Sequence, residues 1–150
     1  MRAQLLTIDE LPTRTAYQIW RLRQQVFVVE QECAYADLDG RDLEPGTRHL
    51  ILVDGEQLVG TLRVLDDGMA WRVGRVVLSK QARGQGLADQ MMVAALQETT
   101  DRDVVLDAQS PLAGWYRKHG FEIDGDEFVD DGIPHLPMRL RRTVSPVVRS

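Results

Sequence analysis

Hydrophobic positions along the chain follow two spacings, and the change between them separates predicted helices from predicted strands. Apolar side chains recur at intervals of three and four between positions 19 and 29, which predicts a helix over about 14–30. Two apolar runs follow at 48–54 and 56–66, and the Asp54-Gly55 pair between them is a strong hairpin signal. The first half therefore predicts a helix followed by an antiparallel hairpin.

The second half of the chain alternates between strand and helix patterns. Besides a short first strand at 4–8, we expect a strand over 69–79, a helix ending near Thr99, a strand over 103–108, a helix from Ser110 to His119, and turns and strands over 120–142. This order predicts a single α+β (mixed α/β) domain in which helices cover one sheet. We expect the domain to span residues 1–142 and residues 143–150 to form a tail.

A net charge of −5, a single cysteine and three histidines narrow the classes of function. The acidic balance disfavours nucleic-acid or anionic membrane surfaces, both of which need clustered lysines and arginines. No apolar run approaches the roughly 20 residues of a membrane span, and the start lacks a signal-peptide pattern. We find no zinc-ligand spacing and expect no metal. These features predict a cytoplasmic protein.

The stretch RVVLSKQARGQGLADQMM, residues 75–92, places two glycines at the start of a predicted helix. The first turn of a helix has amide N–H groups without partners and a partial positive charge. A capping serine or aspartate would occupy those donors, whereas Gly84 and Gly86 leave them free and remove the Cβ atoms that would exclude a ligand. Lys80 and Arg83 flank the turn. The pattern favours either a pyrophosphate seat or a tight turn that uses glycine for its shape alone.

Two other phosphate-binding loops fit this stretch less well. The pattern G-x-x-x-x-G-K-[ST] does not occur. The dinucleotide pattern G-x-G-x-x-G is met in part, since Gly84 and Gly86 fit and Asp107 follows where a ribose-binding acid would stand. However, Asp89 replaces the third glycine, and a hairpin precedes the loop. We therefore disfavour a dinucleotide fold.

The glycine-containing stretch RGQGLA, residues 83–88, matches the R-x-x-G-x-[GA] signature of the GNAT N-acetyltransferase superfamily. The stretch SPLAGWYRKHGF resembles the superfamily's next motif, N-x-x-A-x-x-x-Y-x-x-x-G-F, with Gln109 where Asn is usual and Leu112 where Ala is usual. The stretches LRQQVFVVEQECAYADLDGRD and DDGIPHLPM resemble the small ElaA-like branch. The resemblance covers nearly the whole chain.

This resemblance implies that acetyl-CoA, or another acyl-CoA, binds between two splayed strands and gives its acyl group directly to a small amine or peptide acceptor. The turn at 83–88 would hold the pyrophosphate, the main chain of 76–78 would pair with the pantetheine arm, and an amide near Val77 would bind the thioester oxygen. The implied cofactor-binding residues are Val76, Val77, Leu78, Arg83, Gly84, Gln85, Gly86, Leu87, Ala88 and Gln109. The oligomeric state stays open, a homodimer included.

Direct transfer needs an acid and a base. The resemblance makes Tyr116 the general acid that returns a proton to the departing thiolate; the alternative is a packing tyrosine beside Trp115. A base must remove a proton from the acceptor amine, directly or through water. The two candidates are Glu30, at the end of the first predicted helix, and His135, on a loop before the last strand. A solvated carboxylate and a structural histidine are the alternatives.

Two arginines inside apolar elements, Arg23 and Arg75, are candidates for binding an acceptor carboxylate. Salt bridges to the aspartates of the acidic loop at 34–46 are the alternative. Cys33 is best interpreted as a small packing thiol.

We therefore predict an acyl-CoA-dependent N-acetyltransferase. Two alternatives stay open. The first is an acyltransferase like the acyl-homoserine-lactone synthases, which the Arg23-x-x-x-Phe27 pattern and the acidic loop resemble. The second is a non-catalytic acyl-CoA-binding regulatory domain.

Overall fold

A mixed sheet covered by helices on both faces forms the centre of the chain in a computed structural model, which describes residues 1–142. Its strands are β1 (Arg2–Thr7), β2 (Arg48–Asp54), β3 (Gln57–Asp66), β4 (Ala70–Leu78), β5 (Asp103–Gln109), β6 (Glu122–Ile123), β7 (Phe128–Asp130) and β8 (Ile133–Leu140). Its α-helices are α1 (Thr13–Arg23), α2 (Leu87–Gln97) and α3 (Ala113–Lys118). The predicted tail at 143–150 lies outside the described residues.

The strands are ordered β1-β2-β3-β4-β5-β8-β6, and β7 pairs with β8 beside this path. Every neighbouring pair is antiparallel except β4 and β5, which run parallel. The arrangement confirms the predicted α+β (mixed α/β) class and the antiparallel hairpin of β2 and β3.

Alternation along the strands builds a hydrophobic core on each face of the sheet. On one face, Leu50 and Leu52 of β2 pack in the cluster that contains Met91 of α2. On the other face, Ile51 packs in the cluster that contains Ile19 of α1. The amphipathic helices predicted from their apolar stripes therefore cover opposite faces.

The sheet opens between β4 and β5. The two strands pair only at the start of β4, where Ala70–Arg72 face Asp103–Val105. From Val73 onward β4 pairs with β3 alone. Two residues of β4, Arg75 and Val76, oppose the single residue Leu62 of β3, which makes a β-bulge. Bulges bend a strand, and this one lies on the part of β4 that has already separated from β5, beyond Arg72.

The helices differ in detail from their predicted bounds. The predicted helix over 14–30 divides into α1 and a wider π-helical segment, Gln24–Glu30. Ser110 does not cap α3, as its position had suggested; it begins a 3₁₀ turn and its hydroxyl donates to Glu127. Gly120 does follow the helix, with the positive φ of 97° expected at that position. Within residues 1–142, no helix combines the length and apolar character that crossing a bilayer requires.

Candidate active site

The opening between β4 and β5 is a cleft of about 280 Å³. Val76 of β4 and Gln109 of β5 lie on its two strand walls, and Tyr116 of α3 and His135 of β8 also line it. Arg75 of β4 lines the cleft as well, so the structure brings together five residues that the sequence proposed for the site.

The turn at residues 83–88, called the glycine turn below, has backbone amides without hydrogen-bond partners in residues 1–142 and unoccupied space beside its two glycines. Gly84 and Gly86 have φ values of 78° and 77°, which disfavour other residues. A Cβ atom at either glycine would meet no protein atom within 4 Å. Among the described residues, no group accepts a hydrogen bond from the amides of 84–89, and α2 has no side-chain cap. This cradle of free amides at a helix start fits a diphosphate.

Glu30 lies at the glycine turn rather than in the cleft lining. Its carboxylate accepts two hydrogen bonds from the Arg83 guanidinium, at 2.7 and 2.9 Å. Arg83 also donates to the carbonyl of Leu78. The hydrogen bond from Arg83 lowers the pKa of Glu30, which makes the carboxylate a weaker base than usual.

Tyr116 is 8% exposed, and its ring packs edge-on against Trp115 and Phe121. Burial raises the pKa of its phenol to about 12, because water no longer stabilises the phenolate. A phenol is protonated at neutral pH at its ordinary pKa as well, so the shift leaves the proton in place and makes the hydroxyl a weaker acid.

His135 lies opposite Gln109 in the pairing of β5 with β8, and its ring stacks on Phe128. Its Nδ1 lies 2.8 Å from the carbonyl oxygen of Ile133. Since a carbonyl only accepts, Nδ1 carries the proton, and in the neutral ring Nε2 is left with a lone pair. The hydrogen bond thus selects the tautomer that a base requires.

The main chain of β4 presents its amides to the cleft in alternation. Ser79 donates its amide proton to the carbonyl of Val59 on β3. Because main-chain groups in an antiparallel pair point alternately toward and away from the partner, those of Val77 face β3, and those of Val76 and Leu78 face away. The amide that can serve the cleft is therefore that of Val76 or Leu78, the two neighbours of Val77 on β4.

Arg23 does not line the cleft. It is 1% exposed, and its guanidinium donates to the carboxylates of Asp37 and Asp42 and to the carbonyl of Asp37. This corrects the prediction that Arg23 binds an acceptor, in favour of the salt-bridge alternative. Each of its three guanidinium nitrogens has a partner in the acidic loop, as a buried charge requires.

Arg23 belongs to a closed cycle of three arginines and three aspartates, called the Arg–Asp ring below. Each arginine contacts two aspartates and each aspartate two arginines. The six contacts are Arg23–Asp37 at 2.9 Å, Asp37–Arg75 at 2.7 Å, Arg75–Asp39 at 3.4 Å, Asp39–Arg63 at 2.7 Å, Arg63–Asp42 at 3.2 Å and Asp42–Arg23 at 2.7 Å. The ring fastens the acidic loop to α1, β3 and β4. Arg75 is the member whose backbone forms the bulge.

Hydrogen bonding within the ring lowers the pKa of two of its acids, Asp39 and Asp42. The hydrogen bonds from Arg63 lower the pKa of Asp39. Burial would raise the pKa of Asp42, but the hydrogen bond and charge of Arg23, with those of Arg63, outweigh it and lower that pKa.

Sequence reasoning did not single out part of the cleft lining. Asp130, Asp131 and Cys33 lie on it, at the β7–β8 turn and after the π-helical segment. The Asp130-Asp131-Gly132 turn signal was visible, but nothing in it indicated that the turn faces the loop carrying Cys33, whose thiol approaches the carbonyl of Asp131 at 3.7 Å.

Comparisons with known proteins agree with this geometry. Residues 11–142 match the family model described as an acetyltransferase (GNAT) domain. The chain is 47% identical to a UPF0039 protein of Mycobacterium tuberculosis over 135 residues, which are 86% of each chain. It is 38% identical to the protein ElaA of Escherichia coli over 137 residues, covering 87% of this chain and 90% of that protein.

Solved structures show the same fold. The crystal structure of an acyl-CoA N-acyltransferase from Pseudomonas aeruginosa superposes with a TM-score of 0.88 at 37% identity, covering 93% of this chain and 99% of that one. The crystal structure of Escherichia coli ElaA gives a TM-score of 0.88 at 35% identity, with the same coverage.

Proposed function

Because the chain belongs to the GNAT acetyltransferase family, in the branch that includes ElaA, we propose that it transfers the acetyl group of acetyl-CoA to a primary amine. The acceptor is a small molecule or a peptide, and the reaction is a direct transfer in a cytoplasmic, metal-free ternary complex. The observation that carries the proposal is the position of the open glycine turn, which is separated only by a short 3₁₀ turn (Lys80–Ala82) from the strand that forms one wall of the cleft.

The glycine turn is the proposed binding site for the pyrophosphate of CoA. Its free amides and the partial charge of the α2 start supply donors without a competing side-chain cap. The cofactor supplies a thioester whose carbonyl carbon is attacked and whose sulfur departs. The unpartnered side of β4 and Gln109 across the cleft offer hydrogen-bonding groups to the pantetheine arm.

The cleft-facing amide of Val76 or Leu78 is the proposed donor to the oxygen that gains charge during transfer. A fixed amide needs no reorganisation at that moment, and one such donor contributes about 3–4 kcal/mol in comparable enzymes. The donor is a main-chain group, so it does not depend on which side chain its own residue carries.

His135 is the proposed base, with Glu30 as the second candidate. An alkylamine with a pKa near 10.4 is almost fully protonated at neutral pH, so a proton must leave before attack. His135 lines the cleft with Nε2 available, whereas Glu30 is held by Arg83 outside that lining. Tyr116 is the proposed acid, because its hydroxyl stays protonated and the residue lines the same cleft.

The test is release of free CoA thiol from acetyl-CoA with a panel of polyamines, amino acids and lysine peptides, beside calorimetry with CoA. We expect CoA binding and turnover with at least one amine, and loss of turnover in His135→Gln. Absence of heat with CoA would contradict the proposal. Tight CoA binding without turnover would favour the regulatory domain, and turnover with longer acyl-CoA donors alone would favour the synthase-like alternative.

A further inference from the structure

The bulge in β4 is built on a residue poorly suited to it. Arg75 has a φ of 52°, a left-handed value that side chains with a Cβ rarely adopt. Glycine is the usual residue where a bulge needs positive φ. Such strain persists only where the surroundings enforce it.

The acidic loop supplies that enforcement. The Arg75 guanidinium contacts Asp37 and Asp39 and lies over the ring of Tyr35, 5.4 Å from its centroid. Asp37 is itself fixed, because Arg23 donates to it at 2.9 Å and the Tyr35 hydroxyl donates to it at 2.8 Å. The side chain of the strained residue is therefore held by a buried acid whose own position is fixed from two sides.

The backbone that follows Arg75 is the part of β4 that faces the cleft. Val76 is the second residue of the bulge, and its main-chain groups face away from β3. A change in φ at Arg75 would rotate the next peptide and redirect this amide.

We propose that Asp37 is a positioning residue: it holds Arg75 in the left-handed conformation that forms the bulge and thereby aims the Val76 amide into the cleft. This inference rests on the proposed function, which gives that amide its task. It also gives Arg75 a role different from binding an acceptor carboxylate.

The experiment compares Asp37→Asn with Asp42→Asn, each alone and combined with Arg75→Gly. In Asp37→Asn an NH₂ group must face either Arg23 or Arg75, and neither guanidinium can accept a hydrogen bond. Asp42→Asn sets an NH₂ group against Arg23 in either orientation of the amide and leaves the contacts of Arg75 intact. Glycine at 75 adopts positive φ without help, so it should remove the need for Asp37.

We expect Asp37→Asn to lower kcat by about 10- to 100-fold, the effect of a misplaced catalytic group, with the KM for acetyl-CoA within about two-fold. Asp42→Asn should leave kcat within about two-fold. In the Arg75→Gly background, Asp37→Asn should have no further effect on kcat. An equal loss of kcat in both backgrounds, or no loss in either, would overturn the proposal.

A second readout does not depend on activity. The backbone carbon shifts and HN–Hα coupling of residue 75, measured by NMR on this 17.0 kDa chain, report its φ. We expect them to change in Asp37→Asn and not in Asp42→Asn; unchanged values in Asp37→Asn would overturn the inference. A wild-type chain inactive on every amine would refute the proposed function and leave this readout standing.

A further pair of variants, Arg75→Gly and Arg75→Ala, tests the proposal if Asp37→Asn does not fold. Arg75→Gly should keep the bulge and retain at least several-fold more kcat than Arg75→Ala, since alanine has neither the ion pairs nor glycine's freedom. Equal losses in the two variants would show that the side chain itself serves the acceptor and would overturn the proposal.

Discussion

The Arg–Asp ring and the glycine turn are two polar regions that treat their hydrogen-bonding groups in opposite ways. In the ring, every guanidinium meets two carboxylates and every carboxylate meets two guanidiniums. In the glycine turn, successive amides have no partner among the described residues. The ring pairs buried charges within the protein, although the Nε atoms of Arg63 and Arg75 make no hydrogen bond of their own within residues 1–142. The donors left open at the surface in the glycine turn are available to a ligand.

The largest effect should follow from breaking the ring at Arg23. Arg23→Met leaves Asp37 and Asp42 buried without this partner, and removing one partner of a buried ion pair costs about 3–5 kcal/mol of unfolding free energy. Urea unfolding measures it. Arg21→Met is the matched control, because Arg21 is exposed on the same helix and should change stability by no more than about 0.5 kcal/mol. Equal stabilities of the two variants would show that the ring contributes nothing.

The next largest effect should follow from removing the hydroxyl of Tyr116, which lies in the cleft and belongs to neither the Arg–Asp ring nor the glycine turn. Tyr116→Phe keeps the packing against Trp115 and Phe121 and removes only the proposed acid. We expect kcat to fall by about 100- to 1,000-fold, with CoA affinity unchanged in calorimetry. Tyr17→Phe, at an exposed position, is the control. Retention of most of kcat in Tyr116→Phe would make this residue a packing tyrosine.

A larger side chain in the glycine turn should weaken binding of its proposed ligand, CoA, and leave the Arg–Asp ring unchanged. In Gly86→Val the new side chain occupies the space where a phosphate would lie and strains the positive φ. We expect CoA affinity to fall by about 100-fold, equal to about 2.7 kcal/mol. Gly55→Val carries the same strain at φ 64°, also with no protein atom within 4 Å, but in the β2–β3 turn. If Gly55→Val weakened CoA binding as much, the lower affinity of Gly86→Val would reflect lost stability rather than a blocked phosphate-binding site.

The same contrast explains how much of the molecule its sequence could predict. Periodicity gave the elements, and the unpartnered donors of the glycine turn were predictable because a helix start and two glycines lie within a few residues. The family came from the motifs around residues 83–88 and 110–121. The sequence predicted the Arg–Asp ring only in part, as the salt-bridge alternative to acceptor binding, because the paired residues are separated by 14 to 38 positions.

Two details could not be predicted because tertiary contacts override local signals. The bulge carries an arginine where a glycine would have indicated positive φ, and the contacts of the acidic loop hold it there. Similarly, Ser110-Pro111 is a good helix start by residue type, yet Ser110 begins a 3₁₀ turn, its hydroxyl donates to Glu127, and α3 begins at Ala113. Both details depend on side chains that approach from distant parts of the chain.

The smallest effect should come from the pair that borders the glycine turn, Glu30 and Arg83. Both side chains are substantially exposed, and such pairs contribute little to stability. Glu30→Gln removes a negative charge beside the proposed diphosphate seat and releases the Arg83 guanidinium. We therefore expect CoA to bind up to about three-fold more tightly at low salt, with the gain disappearing at high salt, and kcat to stay within about three-fold. Calorimetry at two salt concentrations measures the first effect and steady-state kinetics the second. A collapse of kcat with CoA binding intact would instead identify Glu30 as the base, and the ion pair to Arg83 would then have to open during turnover.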